Sequence, residues 1–171
     1  GDGGAGGGDG GSGGDGGSDN DGSCSDAVYD VESVSVCGAE VLGNTGQDGV
    51  ALGPSGRQLV YSFQLNSTRE VAISLCSSAT TYDSRLYVLN ACPSESYASF
   101  SGSLIDQNDD GPRCPESSAP FPPSRVPAAR DTFMTLTAGT YYVVVDGFGG
   151  STGAFGLSVT ASDCGTGGGD G

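Results

Sequence analysis

Strict alternation between Leu59 and Leu65 constrains this chain more than any other feature: Leu59, Tyr61, Phe63 and Leu65 fall on one face, Val60, Ser62 and Gln64 on the other. A repeat of two is that of a half-buried β-strand, because successive side chains leave a pleated backbone on opposite sides. Val71, Ile73 and Leu75 repeat the pattern, and residues 85–90, 140–146 and 153–160 follow it, the last with Phe155, Leu157 and Val159 inward. Residues 28–36 and 39–42 read as opening strands and 131–137 as a late one. No window places apolar residues at i, i+3, i+4 and i+7, so helix is expected to be nearly absent.

Tyr141 to Val145 is apolar on both faces, which predicts a central strand covered on both sides. The turn at residues 137–140 is expected to join it to the preceding strand as a hairpin, and residues 147–153 to join it to the next. Six of the eight prolines lie between Pro112 and Pro127. Proline cannot donate to a ladder, so residues 111–127 are expected to form a long surface loop rather than a strand. Short strands at spacings of about 8–12 residues, with Gly, Asn, Asp and Ser between them, predict an all-β fold, an antiparallel β-sandwich or jelly roll.

Glycine marks the borders of that fold. Of 32 glycines, 13 lie in the first 23 residues and 5 in the last 7. The chain therefore reads as a Gly-rich arm or linker over residues 1–23, a sandwich over 24–164 and a Gly-rich tail over 165–171. No run approaches the ~20 apolar residues that cross a bilayer, and no basic, apolar signal segment is present. A secreted form would then be a mature chain or part of a longer one.

Charge and missing residue types exclude most activities. Six Arg and no Lys face 21 acidic residues, for a net charge of −15, so the chain cannot displace counterions from nucleic acid or adhere to an anionic membrane. Without His there is no Ser-His-Asp or Cys-His nucleophile pair, and without Lys no Schiff base or phosphate-loop lysine. Carboxylate catalysis needs two acids at a defined separation, and nothing marks such a pair; the chain is read as not an enzyme.

Cys24, Cys37, Cys76, Cys92, Cys114 and Cys164 are an even set without a Cys-x-x-Cys pair, which argues for disulfides in an oxidising compartment. Fifteen pairings are open; Cys24 with Cys164, which bracket the domain, is the expected one. Asn66-Ser67-Thr68 is an N-glycosylation triplet that fits an extracellular or cell-surface location. Asp83, Asp106, Asn108, Asp109 and Asp110 offer hard oxygens, and calcium is the candidate cofactor they suggest. The alternative is that these residues accept backbone N–H bonds in turns. Asp19-Asn20-Asp21-Gly22 matches half of a calcium loop but lacks the distal Glu.

Gly43-Asn44-Thr45, Leu59-Val60-Tyr61-Ser62-Phe63, Ile73-Ser74-Leu75-Cys76, residues 82–88, Asn108-Asp109-Asp110-Gly111, Ala138-Gly139-Thr140-Tyr141-Tyr142, Val145-Asp146-Gly147 and Gly153-Ala154-Phe155 occur in that order. Together they resemble the bacterial pre-peptidase C-terminal domain over residues 40–161. The resemblance implies a non-catalytic β-sandwich accessory of secreted proteins, some relatives of which bind calcium or polymeric substrates.

In the N-terminal arm Asp2, Ala5, Asp9, Ser12, Asp15 and Ser18 recur with a period of three broken once, and writing Gly171 before Gly1 continues the period from Asp170 to Asp2. Three residues per turn is the period of a polyproline-II-like extended helix, which would expose two bare glycine edges. The plainer alternative is a flexible linker.

Two functional expectations follow. One is a self-assembling extracellular filament subunit, a homopolymer whose arms, with Asp2, Asp9, Asp15 and Asp170, link neighbouring sandwiches. The other is a calcium-stabilised accessory module binding polysaccharide or protein, with Tyr82, Tyr87, Tyr97, Phe100 and Phe148 as contacts.

Overall fold

The computed structural model describes residues 24, 30–53, 56–93, 100, 102–111, 123–127 and 132–165. Eleven strands are described: β1 (Val31–Ser33), β2 (Val41–Asn44), β3 (Val50–Gly53), β4 (Gly56–Leu65), β5 (Arg69–Ser74), β6 (Ser84–Leu89), β7 (Leu104–Asn108), β8 (Arg125–Val126), β9 (Met134–Leu136), β10 (Gly139–Gly147) and β11 (Ala154–Ala161). The single α-helical turn among the described residues, α1 (Thr45–Asp48), is capped by Asn44, whose side chain accepts from the Gly46 N–H.

Two sheets result. The first has the order β1-β4-β10-β6-β7 with β3 also on β4, and the second β2-β11-β5-β8 with β9 also on β5. Alternation places Tyr61, Phe63 and Leu65 of β4 against Tyr141, Val143 and Val145 of β10 and Leu86 and Val88 of β6 on the inner face. Val71 and Ile73 of β5, Phe155, Leu157 and Val159 of β11, Val126 and Leu136 meet them from the second sheet. The sandwich core is the contact between these faces. The other residues of the same strands, Val60, Tyr87, Leu89, Tyr142 and Val144, form a second buried cluster on the back of the first sheet, with Phe100 and the Cys24–Cys92 pair. The central strand at 141–145 is thus covered on both sides, as its double-faced apolarity requires.

The antiparallel expectation needs one correction: β1 pairs with β4 in parallel, Val31 opposite Val60 and Ser33 opposite Ser62. A parallel neighbour needs a long crossover, and β2, α1 and β3 supply it. The expected hairpin at 137–140 is also corrected. β9 pairs with β5 in the second sheet, whereas both edges of β10 are already taken by β4 and β6. The turn therefore carries the chain between sheets, and residues 147–153 carry it back to β11.

Within the expected 111–127 loop, Arg125 and Val126 instead pair with Ser74 and Ile73, and Val126 is wholly buried. Pro127 ends that strand immediately, which an edge position tolerates. The bracketing pair Cys24–Cys164 is not formed. Cys24 bonds Cys92 and Cys37 bonds Cys164, because residues 34–37 run beside β11, the Cys37 N–H donating to Val159 O at 2.9 Å. Cys76 is also disulfide-bonded. Cys114, Tyr97, Asp2, Asp9, Asp15, Asp170 and both arms beyond Gly165 and before Cys24 lie outside the described residues.

Candidate functional site: two ends of a sandwich

The strand registers separate two ends. Gln58, Ser84, Gly147 and Ala154 mark one; Leu65, Arg69, Gly139 and Ala161 mark the other.

The first end is tied by hydrogen bonds between loops. Thr45 binds Gly153 twice, its N–H donating to Gly153 O at 3.0 Å and its Oγ1 accepting from Gly153 N at 3.1 Å. The Tyr82 hydroxyl donates to Asp146 O at 3.3 Å, and buried Asp146 accepts from Gln58 Nε2 at 3.1 Å and from the Gly147 N–H at 2.8 Å. Gly147 is required because a Cβ there would overlap the Ser151 carbonyl. Ser124, wholly buried, donates to Ser84 O and lies 3.1 Å from Asp109 O, while its own N–H donates to Ser84 Oγ at 3.0 Å.

Asp83, Asn108, Asp109 and Asp110 sit at this end, whereas Asp106 stands opposite Val88 further along β6, and the five do not act as one set. Asn108 is occupied by the backbone: Nδ2 donates to Asp110 O and Arg125 O at 2.7 and 2.9 Å, and Oδ1 accepts from the Asp110 N–H. This is the turn-forming use of Asn weighed above. Asp106 accepts from the Gln107 N–H at 2.8 Å. Asp83 does feel its acidic neighbours. Partial burial, followed by the charges of Asp110 and Asp109, holds the Asp83 carboxyl above its ordinary value. Among the described residues, no group of three or more His, Cys, Asp or Glu side chains stands where it could hold a metal ion.

The expected aromatic contacts are mostly core. Tyr82, Tyr87 and Phe100 are buried, and Tyr87 packs edge-on against Phe100 at 5.5 Å. Burial, with the Thr45 hydrogen bond opposing it and Asp146 and Tyr61 adding to it, pushes the Tyr82 phenol well up; burial together with Glu32 and Asp48 raises Tyr61 to about 12. Of Tyr82, Tyr87 and Phe100 only Tyr87 lies in a strand, β6, on the apolar back face of the first sheet, whereas Tyr82 and Phe100 are buried from the segments before β6 and β7; none of the three can touch a ligand. Phe148, 49% exposed on the one-turn 3-10 helix Phe148–Gly150, can.

The other end is open. A groove of ≈ 1010 Å³ runs between residues 33–37, the end of β4, Thr140, Arg69 and Asp163–Gly165. Hydroxyls and amides dominate its wall: Ser33, Ser35, Ser62, Gln64, Ser67 and Thr140, with Asn66 at the turn. The Cys37–Cys164 disulfide and an ion pair, Arg69 Nη2 to Asp163 Oδ1 at 2.5 Å, close one side. The Arg69 hydrogen bond holds the Asp163 carboxyl below its usual value. Asn66, Ser67 and Thr68 are all exposed in the β4–β5 turn. Sequence reading missed this groove, since serine in an edge segment carries no motif.

No family model matches the chain, and no curated protein matches it in sequence. Among solved structures, it is similar to the pre-peptidase C-terminal domain of collagenase from Bacillus anthracis, at 14% identity over 77% of this chain and 95% of that one, with a TM-score of 0.49. It is also similar to PliG, a periplasmic inhibitor of g-type lysozyme, from Aeromonas hydrophila, at 12% identity over 78% and 99% with a TM-score of 0.42. PliG from Salmonella Typhimurium gives 12% identity over 77% and 99%, with a TM-score of 0.40. No helix among the described residues is long and apolar enough to cross a membrane.

Proposed function

We propose that this chain is a non-catalytic accessory module of an extracellular or cell-surface protein, and that it binds an extended polymer, polysaccharide or polypeptide, in the polar groove beside the end of β4. The groove is the observation that carries the reading. It is open and lined mostly by hydroxyl and amide groups, whereas small-molecule pockets are mostly apolar. Disulfides suit an oxidising compartment, and a glycan on Asn66 would stand at the groove rim.

The reading includes calcium at the other end as a loosely held counter-ion, without a closed set of side-chain ligands among the described residues, screening the charges that Asp110 and Asp109 exert on Asp83. Its role would be to stiffen loops, with no step in binding. Millimolar calcium is then expected to raise the melting temperature and a chelator to reverse the rise; identical melting curves would remove calcium from the proposal.

The groove is tested by titrating soluble polysaccharides and unstructured peptides into the disulfide-bonded protein while following backbone amide resonances. Shifts confined to Ser35, Gln64, Asn66 and Thr140 are the expected result. Shifts elsewhere, or none across the panel, would refute it.

A further inference from the structure

The groove runs along an unfinished sheet edge. β3 covers the outer edge of β4 at its start and β1 covers Val60 to Ser62, after which the Val34 N–H donates to Ser62 O at 2.8 Å. The chain then leaves for β11. Among the described residues no strand continues the pairing beside Phe63, Gln64 and Leu65. The N–H and C=O of one strand residue point to the same side, and this side alternates along the strand. Since Ser62 O faces β1, the backbone N–H and C=O of Gln64 face the groove.

We infer that this slot is filled by the glycine-rich N-terminal arm of a second copy of the chain, added as an extra strand on β4. The inference rests on the groove reading and names its occupant. A Gly-rich segment presents almost nothing but backbone donors and acceptors, and the slot offers a backbone edge flanked by Ser33, Ser35 and Thr140 hydroxyls. Strand addition of this kind draws its affinity from main-chain hydrogen bonds. The groove wall has no exposed aromatic on which a sugar would stack.

The first 23 residues, 13 of them Gly, supply such a segment many times longer than the three residues of open edge. The arm leaves the fold at Cys24, which Cys92 holds on the back of the first sheet beyond β6. An arm of 23 residues is long enough to reach the slot of a second molecule, and one arm with one slot per chain joins copies head to tail. Strand addition also removes the hazard of an unpaired edge.

The experiment combines sedimentation velocity with hydrogen exchange on the disulfide-bonded chain, at 0.15 M salt so that the net charge of −15 is screened beyond about 8 Å. Association that grows with protein concentration is expected, together with exchange at the Gln64 amide at least tenfold slower at high than at low concentration. Both are lost on removing residues 1–22 and in Gln64→Pro, which deletes an N–H that faces away from β10. The circular dichroism of Gln64→Pro serves as the folding control, and Gln64→Ala, which keeps the amide, should associate normally. A monomer with a freely exchanging Gln64 amide overturns the inference. So does concentration-independent protection in a monomer, which would mean the arm returns to its own sheet. Association that survives Gln64→Pro in a folded protein places the contact elsewhere and overturns it too. Groove shifts with added polysaccharide or peptide in a monomeric chain would overturn the inference and leave the binding-module reading standing.

Discussion

The two ends of the sandwich are held together by different chemistry. At the Gln58–Gly147 end, loops from both sheets interlock through Thr45, Tyr82, Ser124 and Asp146, all buried, so their hydrogen bonds do not compete with water. At the Leu65–Gly139 end the side chains face a wet groove, and a disulfide with an exposed ion pair takes over. The difference teaches where each device works: a hydrogen bond stabilises most where its partners have no alternative, and a covalent link is indifferent to solvent. It also shows that the end richest in chemically active residue types is the one already used for structure.

The largest effect is expected at the open end. Replacing Cys37 and Cys164 together by Ala releases a closed loop of 127 residues, and the loop-entropy model predicts a loss of about 4–5 kcal/mol. Urea unfolding measures it, and a loss under about 1 kcal/mol would show that the groove side needs no staple. Next comes Ser124→Ala at the tied end. It removes the donor to the buried Ser84 carbonyl and the acceptor of the Ser84 hydroxyl, leaving only the Ser124 N–H on Ser84 Oγ, and should cost about 1–3 kcal/mol in the same measurement.

A smaller effect of opposite sign is expected from Asp83→Asn. The folded Asp83 takes up its proton more readily than the unfolded one, so its ionised form opposes folding above its raised folded value. The variant should melt higher than the wild type at pH 7, and the advantage should shrink as pH falls and vanish below about 3.8, the ordinary value. A melting difference independent of pH would assign the effect to something other than charge. Smallest is Thr140→Ala in the groove wall, where stability should stay within about 0.5 kcal/mol while groove binding weakens. Unchanged affinity would remove Thr140 from the binding surface.

Much of this was legible in residues 59–65, 71–75, 140–146 and 153–160, because strand pleat and core burial impose the same two-residue period. Tyr141 to Val145 even announced the second apolar cluster on the back of its sheet. The pairing partners were not legible. The turn at 137–140 signals a reversal, but whether a strand pairs with its neighbour depends on which edges are vacant, and β4 and β6 had filled those of β10. Likewise Cys24 and Cys164 bracket the domain, yet neither is the other's partner, since disulfides follow distances in space. At the candidate sites, the acidic types around Asn108 were visible while their use in turns was not. The groove left no mark, because it is a gap between β4 and residues 34–37 rather than a residue pattern.

The sequence by itself determined the strand identity of its alternating segments and the exclusion of imidazole and amine chemistry, since these follow from local backbone periodicity and from residue types that are present or missing. Only the tertiary structure decided which strands adjoin, which cysteines bond, that Tyr82, Tyr87 and Phe100 are core, and that β4 keeps an open edge. Each of those depends on which groups, distant along the chain, compete for the same space and the same hydrogen bonds.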